Sequence, residues 1–298
     1  METIESIQTQ KIKKSDQIMY YDLAGNNHKI GVGILTCNRP DYFKLCCQSF
    51  NDNTSSCDEL IIVNDYPKNS IYADNIRYDI MRPIEYRNHS KNMGVSYSKN
   101  EILSYLISKG CAHIFIIEDD IQLLSTGGDD VFIKYIKTAE VSGIHHFCCG
   151  SFLPSRGNSV LTFKYPDHNA IDIYRNCAGS FTYYSRYSIL TCGLFDENYW
   201  NALEHVDLTY RISKAGLTTP FGFFADISNS NQYIASIGGE FNNSCINSTN
   251  NKHVDGAFTY FKHKFNKGFP EVYESTRQDC INYIQTTYST KFNLVYIH

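Results

Sequence analysis

Three short apolar runs, each broken off by a polar cluster, constrain this chain more than any other feature in it. Ile30-Gly31-Val32-Gly33-Ile34-Leu35-Thr36 gives way to Asn38-Arg39-Pro40. Glu59-Leu60-Ile61-Ile62-Val63 stops at Asn64-Asp65-Tyr66-Pro67, and His113-Ile114-Phe115-Ile116-Ile117 stops at Glu118-Asp119-Asp120. Runs this short and this rich in β-branched residues read as buried strands. Between them the apolar period is helical. Pro40 suits a first helical turn, and Tyr42, Leu45, Cys46 and Ser49 then share one face. Val95, Ile102, Leu103 and Leu106 share another, with Gly110 placed as a stop. Strands alternating with helices predict βαβ units and an α/β fold with a mostly parallel central sheet and helices on both faces.

The later chain continues the pattern less regularly. A helix is expected around Val131 to Val141, leading to a strand over His146 to Cys149, and two extended runs at 159–165 and 170–175 suggest an antiparallel excursion. Cys177 to Tyr184 reads as a further core strand. Glu204 to Lys214 reads as a helix with Leu208 and Ile212 inward, Asp207 paired with Arg211, and Gly216 at its end. The expected organisation is a polar arm over 1–28, a catalytic domain over 29–225, and an aromatic and basic extension over 226–298 on the acceptor side or as a lid.

Charge and composition narrow the function classes. With 27 Lys and Arg against 31 Asp and Glu, the net charge of −4 supplies no global field for nucleic acid or anionic membrane. Apolar residues make up 42% of the chain, which excludes intrinsic disorder. No apolar run approaches the roughly 20 residues needed to span a bilayer. The 11 cysteines are odd in number and include the adjacent pairs Cys46-Cys47 and Cys148-Cys149, so they read as reduced thiols. No pair of CxxC motifs points to a structural zinc site. With no apolar stretch behind its first lysines, the chain is expected to be a soluble cytoplasmic protein.

In open α/β sheets, ligands bind beyond the carboxyl ends of the strands. Four polar clusters fall there: Thr36 to Arg39, Asp65, Asn88 to Gly94, and Glu118 to Asp120. Neither GxGxxG nor GxxxxGK[ST] is present to cradle phosphates with backbone amides. A divalent ion held by carboxylate oxygens performs the same neutralisation, and Mg²⁺ or Mn²⁺ is suited to that donor set.

These motifs, in this order, resemble a GT-A-fold glycosyltransferase of the family 2 type. Val32 to Pro40 is similar to its first strand and turn, Ile61 to Asp65 to its second, and Asn92-Met93-Gly94, Ile117 to Asp120 and Glu204 to Leu208 to its later motifs. The resemblance spans about 30–217. It implies a nucleotide-sugar donor, typically a UDP-sugar, with Thr36, Asn38 and Arg39 lining the nucleotide pocket and Asp65 accepting from the base. It further implies that Asn92 and Gly94 close the pocket, that Glu118 faces the ribose with Asp119 beside it, and that Asp120 ligates Mn²⁺ or Mg²⁺.

The resemblance also carries a departure. Inverting members usually have Glu-Asp where this chain has Glu204-His205, so the catalytic base falls to His205, whose imidazole titrates near neutral pH, or to Glu204, with Asp207 next on the same helix. His253 is the first candidate for a later metal or phosphate ligand and His263 the second. Trp200 is either a sugar platform or core. The run Tyr260 to Lys267 mixes cations with aromatics and suits a diphosphate, a lipid-linked acceptor or stacked bases, or is a solvated surface face. Acceptors consistent with these features are a glycan, a glycolipid precursor with peripheral membrane contact, or a modified base in nucleic acid. A catalytically degenerate glycan-binding or scaffold subunit is the alternative class.

Overall fold

The computed structural model describes residues 28–66, 83–125, 130–148, 150–153, 157–165, 170–237, 251–288 and 295–297. The 1–27 part of the expected arm lies outside them. The first βα unit is β1 (Ile30–Thr36) and α1 (Pro40–Asn53), followed by β2 (Glu59–Asn64), β3 (Glu85–Asn88), α2 (Val95–Ser108) and β4 (His113–Glu118). Next come β5 (Ile121–Leu123), α3 (Val131–Ser142), β6 (His146–Phe147), β7 (Leu161–Lys164), β8 (Ala170–Tyr174), β9 (Phe181–Ser185), α4 (Arg186–Cys192) and α5 (Glu204–Lys214). The chain closes with β10 (Phe224–Ile227), β11 (Ile234–Ser236), α6 (Asn251–Phe265), α7 (Arg277–Tyr288) and β12 (Val295–Ile297).

The central sheet has the order β3-β2-β1-β4-β9-β6. Strands β3, β2, β1 and β4 run parallel, and β9 is antiparallel to both its neighbours. The mostly parallel α/β sheet expected from the alternation is therefore present. Alternation along each strand sorts side chains to opposite faces. Val32, Ile34, Phe115 and Ile117 pack with α1 and α3 through Phe43, Phe50, Phe132 and Tyr135. Leu35, Ile61, Val63, Ile114 and Ile116 pack with α2, α4 and α5 through Ile102, Leu106, Ile189, Leu208 and Ile212. Gly33 is required on the second face because a Cβ there would collide with Ile102, so α2 rides unusually close over β1.

Local departures have physical causes. Leu45, expected inward on α1, is 45% exposed, because Phe43, Cys46, Cys47 and Phe50 form the i, i+3, i+4, i+7 stripe that faces the sheet. Strand β3 was not expected; its sequence, EYRN, is polar and only half buried at the sheet edge, so it lacks an apolar run. The extended runs at 159–165 and 170–175 do pair antiparallel as β7 and β8. The boundary expected near 226 falls inside β10, which pairs with β8, while β11 pairs with β5 and β12 with β7. Cys280 and Ile284 of α7 are buried in the same cluster as β1 and β4.

Candidate active site at the strand ends

The carboxyl ends of β1, β2 and β4 are stitched together by their own polar groups. Thr36 Oγ1 donates to Asp119 Oδ2 at 2.7 Å, and the Cys37 amide approaches the same oxygen at 3.4 Å. The Asp65 amide donates to the Thr36 carbonyl at 2.9 Å, and the Asp119 amide to Leu35 at 3.0 Å. Asn38 takes a left-handed conformation, φ 54°, which turns the chain sharply out of β1 and leaves its side chain exposed. Arg39 then folds back over β4. Its guanidinium donates to Asp119 and, at 3.1 Å, to Asp120 Oδ2.

Two aspartates thus share one guanidinium, with Glu118 next to them in sequence, and Asp120 Oδ1 is buried with no hydrogen-bond partner. Burial pushes the Asp119 carboxyl up to about 7 against the pull of Arg39. Burial, reinforced by Glu118, also raises Asp120. A carboxylate left buried and short of donors is costly unless a cation joins it. The donor set is hard oxygen, so the residues fit Mn²⁺ or Mg²⁺.

Asp65 is committed within the protein. Its carboxylate accepts from the amides of Met93 at 2.6 Å and Gly94 at 2.9 Å, and from His89 Nδ1 at 2.7 Å. His89 Nε2 meets Glu101 at 2.5 Å. Burial opposes charge on His89, but Asp65 and Glu101 outweigh it and raise the pKa above the usual histidine value. Asn92 is exposed at the rim; its side chain accepts from Gly94 N at 3.0 Å and reaches Cys37 Sγ at 3.6 Å. Gly94, at φ 89°, starts α2 directly beneath Trp200, whose carbonyl accepts from the Val95 amide at 2.8 Å.

The second half of the site hangs from Lys99, a residue the sequence reading missed. Its side chain is 1% exposed, and Nζ donates to Glu118 at 2.8 Å, Glu204 at 3.0 Å and the Gly179 carbonyl at 3.2 Å. Burial alone would lower the lysine pKa; the charges of Glu118 and Glu204 reverse that and raise it. Glu204 is likewise buried, yet Lys99 and His205 hold its pKa well below the carboxylate range. His205 Nδ1 lies 3.2 Å from Glu204 Oε1 and its ring stays partly exposed. Burial disfavours its charge, but Glu204 prevails and raises its pKa. The available signal was positional: Lys99 sits at inward helical spacing from Ile102, Leu103 and Leu106, where a solvated lysine does not belong.

The remaining candidates make other contacts. Asp207 is fully buried and binds Arg211 Nε at 2.8 Å and Lys264 Nζ at 2.6 Å, so it fastens α5 to α6. Lys264 also reaches Asp196 at 2.7 Å, which takes one cation of the basic run out of the solvent-facing set. His253 and His263 are exposed on α6, and the His253 ring lies 4.7 Å from that of Trp200, which is 38% exposed.

Among the described residues, no helix is long and apolar enough to cross a membrane. No family model and no curated protein matches the chain. Solved structures similar to it include S. aureus TarS 1-349 in complex with UDP, at TM-score 0.48 and 10% identity, over 70% of this chain and 60% of that one. Also similar is the mannosyltransferase PcManGT from Pyrobaculum calidifontis in complex with GDP-Man and Mn2+, at TM-score 0.44 and 10% identity, over 80% of this chain and 67% of that one. A longer S. aureus TarS structure aligns at TM-score 0.44 and 12% identity, over 62% of this chain. The chain spans from 33% to 67% of the length of these structures.

Proposed function

We propose that the strand-end site moves a glycosyl group from a nucleotide-sugar, a UDP-sugar in the first instance, to an acceptor hydroxyl. The observation that carries this reading is the pairing of an under-neutralised acidic mouth, Glu118, Asp119 and Asp120, with a histidine–glutamate pair, joined through one buried lysine. Asp120, with its unpartnered Oδ1, would hold a divalent cation. A bound Mn²⁺ or Mg²⁺ would supply positive charge to a departing diphosphate. Thr36, Asn38 and Arg39 form the lip over which the nucleotide lies, and Arg39 is poised to exchange an acidic partner for a phosphate.

His205 is the candidate general base. With Nδ1 held by Glu204, Nε2 takes the proton from the acceptor hydroxyl. The acceptor oxygen bonds to the anomeric carbon as the bond from that carbon to the diphosphate oxygen breaks, in a single inverting displacement. Glu204 stabilises the imidazolium that forms, and Lys99 keeps Glu204 ionised. Trp200, exposed beside His253, offers a ring on which an acceptor sugar of a glycan or glycolipid can stack.

The test is thermal stabilisation by UDP-, GDP-, CMP- and TDP-sugars with and without Mn²⁺, followed by donor consumption with the binding class. One nucleotide class should stabilise the protein in a Mn²⁺-dependent way and be consumed. Binding without consumption would make this a glycan-handling subunit rather than an enzyme. No stabilisation by any donor, or stabilisation that persists unchanged in Asp120→Ala, would overturn the reading.

A further inference from the structure

A second cluster of metal-type donors lies at the far end of the same sheet. His28 lies two residues before β1, His113 opens β4, and Glu140 sits in the last turn of α3. His113 is the first residue of β4 and Glu118 the last, so the two ends are separated by about 17 Å of strand. The local backbone explains the meeting. The Ala112 and His113 amides both donate to the Lys29 carbonyl, at 2.9 and 3.2 Å, and Ile30 is in register with His113. The side chain that leads into β1 is therefore carried alongside the one that opens β4. On the other side, Ile136 and Ala139 bury α3 against the core and bring Glu140 to the same rim.

The donor geometry is already assembled. One ligand atom from each of His28, His113 and Glu140 lies within 4.8 Å of the others. His28 Nδ1 is 3.5 Å from Glu140 Oε1, and the two imidazoles are parallel, with centroids 6.1 Å apart. His113 is the anchor. Its side chain is 2% exposed, and Nδ1 is held at 3.0 Å by the Tyr183 hydroxyl, which leaves Nε2 as the nitrogen for a further partner. A ligating histidine whose second nitrogen is fixed by an outer group is the usual arrangement around a bound metal.

We propose that His28, His113 and Glu140 bind one borderline-soft divalent transition metal of the Zn²⁺ class. Two imidazole nitrogens and one carboxylate oxygen suit Zn²⁺, Co²⁺ or Ni²⁺ better than Mg²⁺ or Mn²⁺, and three protein ligands leave a position for water. The bound ion ties the entry of β1, the start of β4 and the end of α3 into one unit. It is separate in place and in chemistry from the oxygen site at Asp120.

The experiment uses the full chain with its thiols reduced, stripped by a chelator and then titrated with Zn²⁺ against a chromophoric competitor. Co²⁺ absorption is recorded in parallel. The variants His28→Ala and Glu140→Gln alter exposed side chains and spare folding. The wild type should take up one equivalent of Zn²⁺, and each variant should bind it at least tenfold more weakly. The Co²⁺ spectrum should lack a thiolate charge-transfer band, and Zn²⁺ should raise the melting temperature of the wild type but not of His28→Ala. Asp120→Asn should leave this uptake intact. The proposal is overturned if the wild type binds no stoichiometric Zn²⁺, if both variants bind like the wild type, or if a thiolate band places the metal at cysteine.

Discussion

The ammonium of Lys99 lies 3.0 Å from the carboxylate of Glu204, and both groups are buried where α2 meets the first turn of α5. The same ammonium holds Glu118 at 2.8 Å, so one charge joins the acidic end of β4 to the histidine–glutamate pair. Removing it leaves buried Glu204 with only the His205 ring as counter-charge. Lys99→Met should cost about 3–5 kcal/mol of folding stability, as for other broken buried pairs. The double variant Lys99→Met/Glu204→Gln should recover much of that loss. Urea unfolding measures both, and a loss under about 1 kcal/mol for the single variant would contradict the assigned charge state.

The His205–Glu204 contact sets a pH dependence of known sign. The folded pKa of His205 is raised above its unfolded value of about 6.5. Protonation therefore contributes stability that is fully present below pH about 6.5 and is lost as pH rises through the higher folded value. A histidine base must be neutral to act, so turnover should rise with pH along a limb centred above 6.5. Glu204→Gln removes the raising charge and should move that limb downward. A limb that does not move, in a variant that still turns over, would take the base role away from His205.

Asp120 should show opposite effects on ligand binding and on ligand-free stability. Its carboxyl is raised by burial and by Glu118, so ionising it without a bound cation is unfavourable. Asp120→Asn should leave the ligand-free melting temperature equal or higher while abolishing Mn²⁺-dependent stabilisation by nucleotide. At a ligand concentration 100-fold above Kd, the effect lost would be about 2.7 kcal/mol. Differential scanning fluorimetry with and without Mn²⁺ reads both quantities. Retained Mn²⁺-dependent stabilisation would remove Asp120 from the metal site.

Gly94 tests the packing between α2 and Trp200. Its φ is 89°, and a Cβ there would lie 2.6 Å from the Trp200 carbonyl oxygen, besides striking the indole. Gly94→Ala should cost about 2–5 kcal/mol, combining backbone strain with overpacking. Gly216, at φ 72° with nothing within 4 Å of such a Cβ, isolates the backbone term, so Gly216→Ala should cost only about 1–2 kcal/mol. Equal losses in thermal unfolding of the two variants would show that the Trp200 contact does not matter.

Read alone, the chain dictates its buried strands β1, β2 and β4, its main helices and the polar groups at the strand ends. Hydrophobic period is a local property: Ile30 to Thr36 and His113 to Ile117 announce buried strands, and Leu208 with Ile212 announces the inward face of α5. Only the tertiary structure decides what the polar groups do, because their partners are remote in sequence. Asp65 spends its oxygens on His89, Met93 and Gly94 rather than standing open on a turn. Asp207 pairs not only with Arg211, one helical turn on, but with Lys264 on another helix. Lys99 becomes the hinge of the site through contacts 19 and 105 residues away, and His28 meets His113 because β1 and β4 are adjacent strands. A buried charge must find its counter-charge wherever the fold brings one, and no periodicity in the sequence encodes that choice.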